Sequence, residues 1–252
     1  MDFSALVVFG VLLVRVGMMV ATAPIFGSTW APPTVKAGLT AIFAVLLLPL
    51  VRLPEIVTPA SLALVVVHEA LVGIAIGFSI RIVIGAAELG GYLAGFQLGF
   101  AYAGIVDPQS GVRNNVLAVL YGMLALLALL GANVHHALIR LLLASYEAVP
   151  VAAFARADGS LAESVARTFG LIVTVGMQLA VPVVLVLLLV EFVLGLMTRA
   201  APSLNLMVIG APLRLLVGLV TLAAGVQVVP GLIVRTSDWA MELGSHLAGA
   251  FR

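Results

Sequence analysis

Seven ionisable residues sit inside long apolar runs of this sequence: Arg15, Glu69, Arg81, Glu88, Arg140, Glu191 and Arg214. On insertion scales a charge at mid-bilayer costs about 2.5–3.5 kcal/mol, so such residues face protein or water. They mark either pairing within a helical bundle or a functional surface, meaning a water-lined path or a subunit contact. Metal chemistry is not expected. His135 and His136 are adjacent and diverge by about 100° on a helix, and His68-Glu69 runs into Ala70-Leu71-Val72 instead of completing a His-Glu-x-x-His motif. No nucleophile, base and orienting group form a legible constellation, and no glycine-rich phosphate cradle follows a strand. No catalytic residue, cofactor or enzymatic activity is therefore expected. Asn133, His136 and Arg140 share a helical face suited to hydrogen bonding between helices or, as an alternative, to a proton relay.

Small residues accompany the charges. Gly73 and Gly77 are four apart, as are Gly91, Gly95 and Gly99, a spacing that lets helix backbones approach closely. With Gly73 at zero and 100° per residue, Gly77, Arg81, Glu88, Gly91, Gly95 and Gly99 fall within roughly an 80° stripe of one continuous helix. Glu69 lies one turn before Gly73. Arg81 and Glu88 are two turns apart, too far to pair with each other, so their partners are expected on other helices or other chains. Glu69, Gly73, Gly77, Arg81, Glu88, Gly91, Gly95 and Gly99 are the candidate interhelical or subunit-interface positions.

The elements that must carry these residues are helices of the membrane class. Of 252 residues, 63% are hydrophobic and 9% charged, against roughly a quarter charged in soluble domains. Net charge is +1, which provides no field for nucleic acid, and the absence of cysteine excludes disulfides and thiolate ligands. Prolines and polar clusters divide the chain into six apolar blocks: 6–22, 35–51, 60–106, 114–145, 161–199 and 206–229, followed by an amphipathic tail from Ser237. No useful strand alternation occurs, so the fold class is all-α, built from helical hairpins with long and broken helices. A continuous helix over 60–106 would run roughly 70 Å, more than twice a hydrocarbon core of about 30 Å. It must break or leave the lipid; Gly85, Gly90 and Gly91 are soft break points, and Pro182 is a kink candidate further on.

Local signals mark several boundaries. Ala23 to Lys36 holds three prolines and is expected to be an ordered, irregular connection. Thr58-Pro59 reads as an N-cap followed by proline at the first helical position, and Ser160 with Glu163 as a capping box. Glu163 and Arg167 form a well-oriented i,i+4 pair. The Ala21–Ala23 stretch resembles a signal-peptidase site, but the opening residues lack a basic region and Arg15 interrupts the apolar run, so the first segment is expected to stay uncleaved.

Between the third and fourth blocks, Phe100 to Val116 reads FAYAGIVDPQSGVRNNV. Pro108 and Gly111 break helix, Asp107 can hydrogen-bond the local backbone, and Gln109 and Ser110 tolerate water. An ordinary capped turn would use the same residues.

The block after Leu194 carries Ala201-Pro202, Asn205, Gly210, Pro212, Arg214 and Gly218, and in this it resembles the FliR family of flagellar type III export-gate components and their injectisome counterparts. The APIFG run at 23–27, Glu69 with Gly73 and Gly77, Asp107-Pro108, and Asn133 with His135 fall in the same order as in that family. Ser203, Met207 and Val134 depart from its pattern. The resemblance implies a single export-gate domain over 1–252, with N-terminal helices over 1–145 and a C-terminal helical hairpin over 146–252. One copy would join several copies of two smaller membrane proteins in a helical multi-subunit cone through which unfolded export substrates pass. It would lie at the bacterial inner membrane in the flagellar basal body, touching lipid. The resemblance also implies a plug loop made of Ile105, Val106, Asp107, Pro108, Gln109, Ser110, Gly111, Val112 and Arg113. The alternatives are a small secondary transporter, or an assembly scaffold that nucleates the gate without lining it.

Overall fold

The computed structural model describes residues 3–27, 31–49, 51, 59–100, 115–151, 160–200 and 206–249. All regular structure among them is α-helical, as the sequence predicts. The helices are α1 (Phe3–Thr22), α2 (Pro33–Leu47), α3 (Pro59–Leu98), α4 (Val116–Gly131), α5 (Val134–Ala148), α6 (Ser160–Ala200), α7 (Leu206–Gly225) and α8 (Val228–Gly249). The chain gathers into two compact units. The first holds Met1–Val83, Leu129–Phe169 and Thr236–Arg252, and the second holds Ile84–Ala128 and Gly170–Arg235. Both α3 and α6 contribute to each.

The third block does not break at Gly85, Gly90 or Gly91. α3 continues through Gly85, Gly90 and Gly91 for 40 residues, or about 60 Å. The physical reason lies in what two of these glycines meet. A Cβ on Gly90 would press against Leu179 and the Gly176 carbonyl of α6, and one on Gly91 would strike the Leu117 carbonyl of α4. They are close-approach positions in a continuous helix. Gly99 is the terminator: its φ is 90°, its N–H donates to the Phe96 carbonyl and the Phe100 N–H reaches back to the Gly95 carbonyl. That is the two-bond Schellman ending, in which glycine takes the left-handed conformation without a Cβ penalty.

The fourth block is a bent helix pair, α4 with α5, and the last block and the tail after it form a second, α7 with α8. At the first break Asn133 adopts φ 58° and ψ 29°. Asparagine tolerates this region better than other residues that carry a Cβ. Its carbonyl then accepts from the His136 and Ala137 N–H groups as α5 begins. By length and composition α3 and α6 can each cross a membrane, as can either bent pair if it forms one span, while α1 and α2 are shorter apolar helices.

Other boundaries follow the local signals. Pro33 opens α2 and Pro59 opens α3, where a missing N–H costs no helical bond. Thr58 lies outside the described residues. The connection after α1 is ordered through Gly27, whose carbonyl accepts from Lys36 Nζ at 3.1 Å, and Phe26 meets Phe43 edge to face at 6.3 Å. Pro182 lies within α6, which is 41 residues long.

Candidate functional site

In the first unit three helices converge on a buried charge. Arg15 of α1 and Glu69 of α3 are both fully buried. The Arg15 Nε–H donates to Glu69 Oε2 at 2.7 Å and its Nη2 to Oε1 at 2.8 Å, giving the two-bond fork that guanidinium and carboxylate share. Nη2 also reaches the Val149 carbonyl at 3.0 Å, and Nη1 reaches Ser145 Oγ at 3.1 Å. The Ser145 hydroxyl in turn donates to the Leu142 carbonyl at 2.6 Å. The guanidinium carbon lies 4.1 Å from the centre of the Tyr146 ring. One helical turn away, Val11, Val65 and Val151 form an apolar cluster with Tyr146 packed against it. The charge is thus neutralised, hydrogen-bonded and closed from lipid or water.

The same interface explains two of the glycines. A Cβ on Gly73 would strike the Arg15 carbonyl and Met18, and one on Gly77 would strike Thr22, Ala23 and Met19. Glu69, Gly73 and Gly77 therefore form one ridge of α3 against α1. Bare backbone at two turns lets α1 come close enough for Arg15 to span the gap.

In the second unit α3 presents Gly91 and Gly95 to α4. Gly95 faces the Asn115 side chain, whose Nδ2 donates to the Tyr92 carbonyl at 3.0 Å while its Oδ1 accepts the Leu117 N–H at 3.0 Å. Asn115 therefore caps α4 and ties it to the last turns of α3. Gly99 and Asn115 are thus the ordered helix end and helix cap on either side of residues 101–114. Sequence reasoning missed the role of Asn115; the signal was an asparagine immediately before an apolar run. The plug residues Ile105 to Arg113 lie outside the described residues, as do Pro202 and Asn205.

The remaining charges divide. Arg214 of α7 meets Glu191 of α6 at 3.1 Å, with the two side chains 33% and 36% exposed. Gly210, a turn before Arg214, is buried beside Leu194, and Pro212 lies exposed within α7. Glu163 and Arg167 form the expected i,i+4 contact at 2.6 Å, well exposed. Arg81 and Arg140 are exposed, and Glu88 is half-buried along Gly122. Among the described residues none of these three has an ion-pair partner. Asn133, His136 and Arg140 are all exposed, so the hydrogen bonding between helices expected of that face is not made within the described chain. The His135 and His136 rings lie 4.1 Å apart at an interplanar angle of 44°, closer than their adjacent helical positions suggest.

The order and spacing of these features can be set against known families. A family model described as bacterial export proteins, family 1, matches residues 6–238. The chain belongs to this family. Relatives named flagellar biosynthetic protein FliR include those of Escherichia coli K12, 34% identical over 84% of this chain and 81% of the relative, and Bacillus subtilis 168, 30% identical over 88% and 86%. The FliR of Pectobacterium carotovorum is 33% identical over 86% of this chain and 83% of its own. The resemblance to the FliR family read from the sequence is therefore borne out. The bacterial export match takes in the three carboxylate–arginine pairs, the glycine ridges and the whole 101–114 segment.

Proposed function

We propose that this chain is a non-enzymatic subunit of a flagellar type III protein export gate, embedded in the bacterial inner membrane at the flagellar basal body. Family membership supports the export role, and the names of the relatives support the flagellar one. One structural observation carries the step to a multi-subunit gate. Arg81, Glu88 and Arg140 lie in apolar helices without an ion-pair partner among the described residues, and lipid would charge each of them about 2.5–3.5 kcal/mol. Neighbouring subunits and a wet lumen remove that cost. The partners are two smaller export-gate membrane proteins, with one copy of this chain in a helical cone, and unfolded export substrates pass through it.

Within that gate, Ile105 to Arg113 form the loop that closes the channel. Its support is the rigid base on either side: Gly99 ends α3, and Asn115 joins the start of α4 to Tyr92. A loop held at both ends can seal a pore and be displaced without unfolding the helices beneath it. The test has two parts. Deleting the gene should abolish export of flagellar filament proteins; a stable monomer with export intact in the null strain overturns the function. Shortening Val106–Val112 should leave the complex assembled and raise leakage of small ions, and unchanged conductance in an assembled deletion mutant removes the sealing role.

A further inference from the structure

Between α6 and α7 lies a cavity of about 430 Å³ whose floor is made of small residues, Gly195, Gly210 and Ala211, and whose polar content is Thr198 and the Glu191–Arg214 pair. Three properties of this groove are informative together. The pair is only about two-thirds buried although both residues stand inside apolar helices, so lipid chains are a poor cover for it. Arg214 Nε is enclosed and has no acceptor among the described residues, and a buried donor left without one is destabilising. Close to the lining residues in sequence, Leu188 and Phe192 of α6 and Ile209 and Leu213 of α7 are all exposed. A small-residue floor on helices with exposed apolar side chains admits a helix backbone at close range.

We infer that this groove seats an apolar helix of another membrane-embedded subunit, and that this helix supplies a neutral hydrogen-bond acceptor to Arg214 Nε. The acceptor is an Asn or Gln carboxamide or a Ser or Thr hydroxyl. Charge decides this choice: Glu191 already neutralises Arg214, so a second carboxylate would bring an uncompensated negative charge into an apolar site. The inference rests on the gate-subunit reading and adds where one partner docks and by what chemistry.

Gly195 supplies the test, because a Cβ there meets nothing within 4 Å among the described residues. Gly195→Leu therefore places a side chain in the groove at a position where the described chain leaves room for it. Gly170→Leu is the matched control on the same helix, since Gly170 also faces open space. Both variants and the wild-type chain are isolated from native membranes and the co-purifying membrane proteins quantified. In parallel, a photo-crosslinking residue at Ala211 is used in an otherwise native chain, and the crosslinked site is mapped. The expected result is loss of one partner by about tenfold or more with Gly195→Leu, from overpacking of the interface, and no change with Gly170→Leu. The Ala211 crosslink should map to an apolar segment of that same partner, beside an Asn, Gln, Ser or Thr. If wild type retains its partners but Gly195→Leu retains them equally, or Ala211 crosslinks only to lipid or to a second copy of this chain, the groove is not the docking site. If wild type brings no membrane partner at all, the gate-subunit reading fails and the docking site fails with it.

Discussion

In the first unit Arg15 and Glu69 share two short contacts, 2.7 and 2.8 Å, and both side chains are fully buried. In the second, Arg214 and Glu191 share one contact at 3.1 Å, stand about a third exposed, and leave Arg214 Nε without an acceptor. The residue types are the same and the settings opposite. Burial with complete hydrogen bonding makes the first pair a fixed internal joint between α1, α3 and α5. Partial exposure and an unused donor make the second an edge that another molecule can complete. The two long helices, which both pass through the two units, differ in the same sense: the most apolar stretch of α3 is 67% buried, that of α6 22%.

The largest effect should come from breaking the buried pair. Glu69→Ala strands the Arg15 charge in a closed site, which typically costs about 3–5 kcal/mol. The variant should be lost from membranes or become sensitive to protease, and normal protease resistance would show that the joint is not structural. Next is the ridge that lets the pair form. Gly73→Leu drives a side chain into the Arg15 carbonyl, with a destabilisation of about 1–3 kcal/mol or more. Gly85→Ala in the same helix meets open space and should stabilise by about 0.5–1 kcal/mol, so opposite shifts in melting temperature separate the two glycines.

Glu191→Ala sharpens the comparison from the other side. For the isolated chain its cost should be clearly smaller than that of Glu69→Ala, since Arg214 remains about a third exposed where Arg15 is fully buried. A loss of stability equal to that of Glu69→Ala would erase the distinction between joint and edge. The smallest effect is expected at Glu163. Its pair with Arg167 is 65–69% exposed, and Glu163→Ala should change thermal stability by only about 0.3–0.5 kcal/mol.

These differences also show which features were legible beforehand. The Glu163–Arg167 pair was readable because both partners lie on one helix turn. Periodicity also placed Glu69, Gly73 and Gly77 on one face, and the structure sets that face against α1. The identity of Glu69's partner was not readable, because Arg15 is 54 residues away and only tertiary packing brings it near. Glycine roles were misassigned for a related reason. Gly90 and Gly99 look alike in sequence, yet one meets a neighbouring backbone inside a helix and the other takes a positive φ and ends it. Asn133 sits in an apolar run and reads as part of a continuous helix, whereas its left-handed backbone divides α4 from α5.

The account stands on one claim above the others, that the incomplete surfaces of this chain belong to a larger membrane assembly. Purification of the tagged chain from native membranes, with the co-isolated subunits counted, tests it most directly. The predicted result is one copy of this chain held with several copies of two smaller apolar proteins. Isolation as a stable monomer, with Arg81, Glu88 and Arg140 facing only lipid, would contradict it.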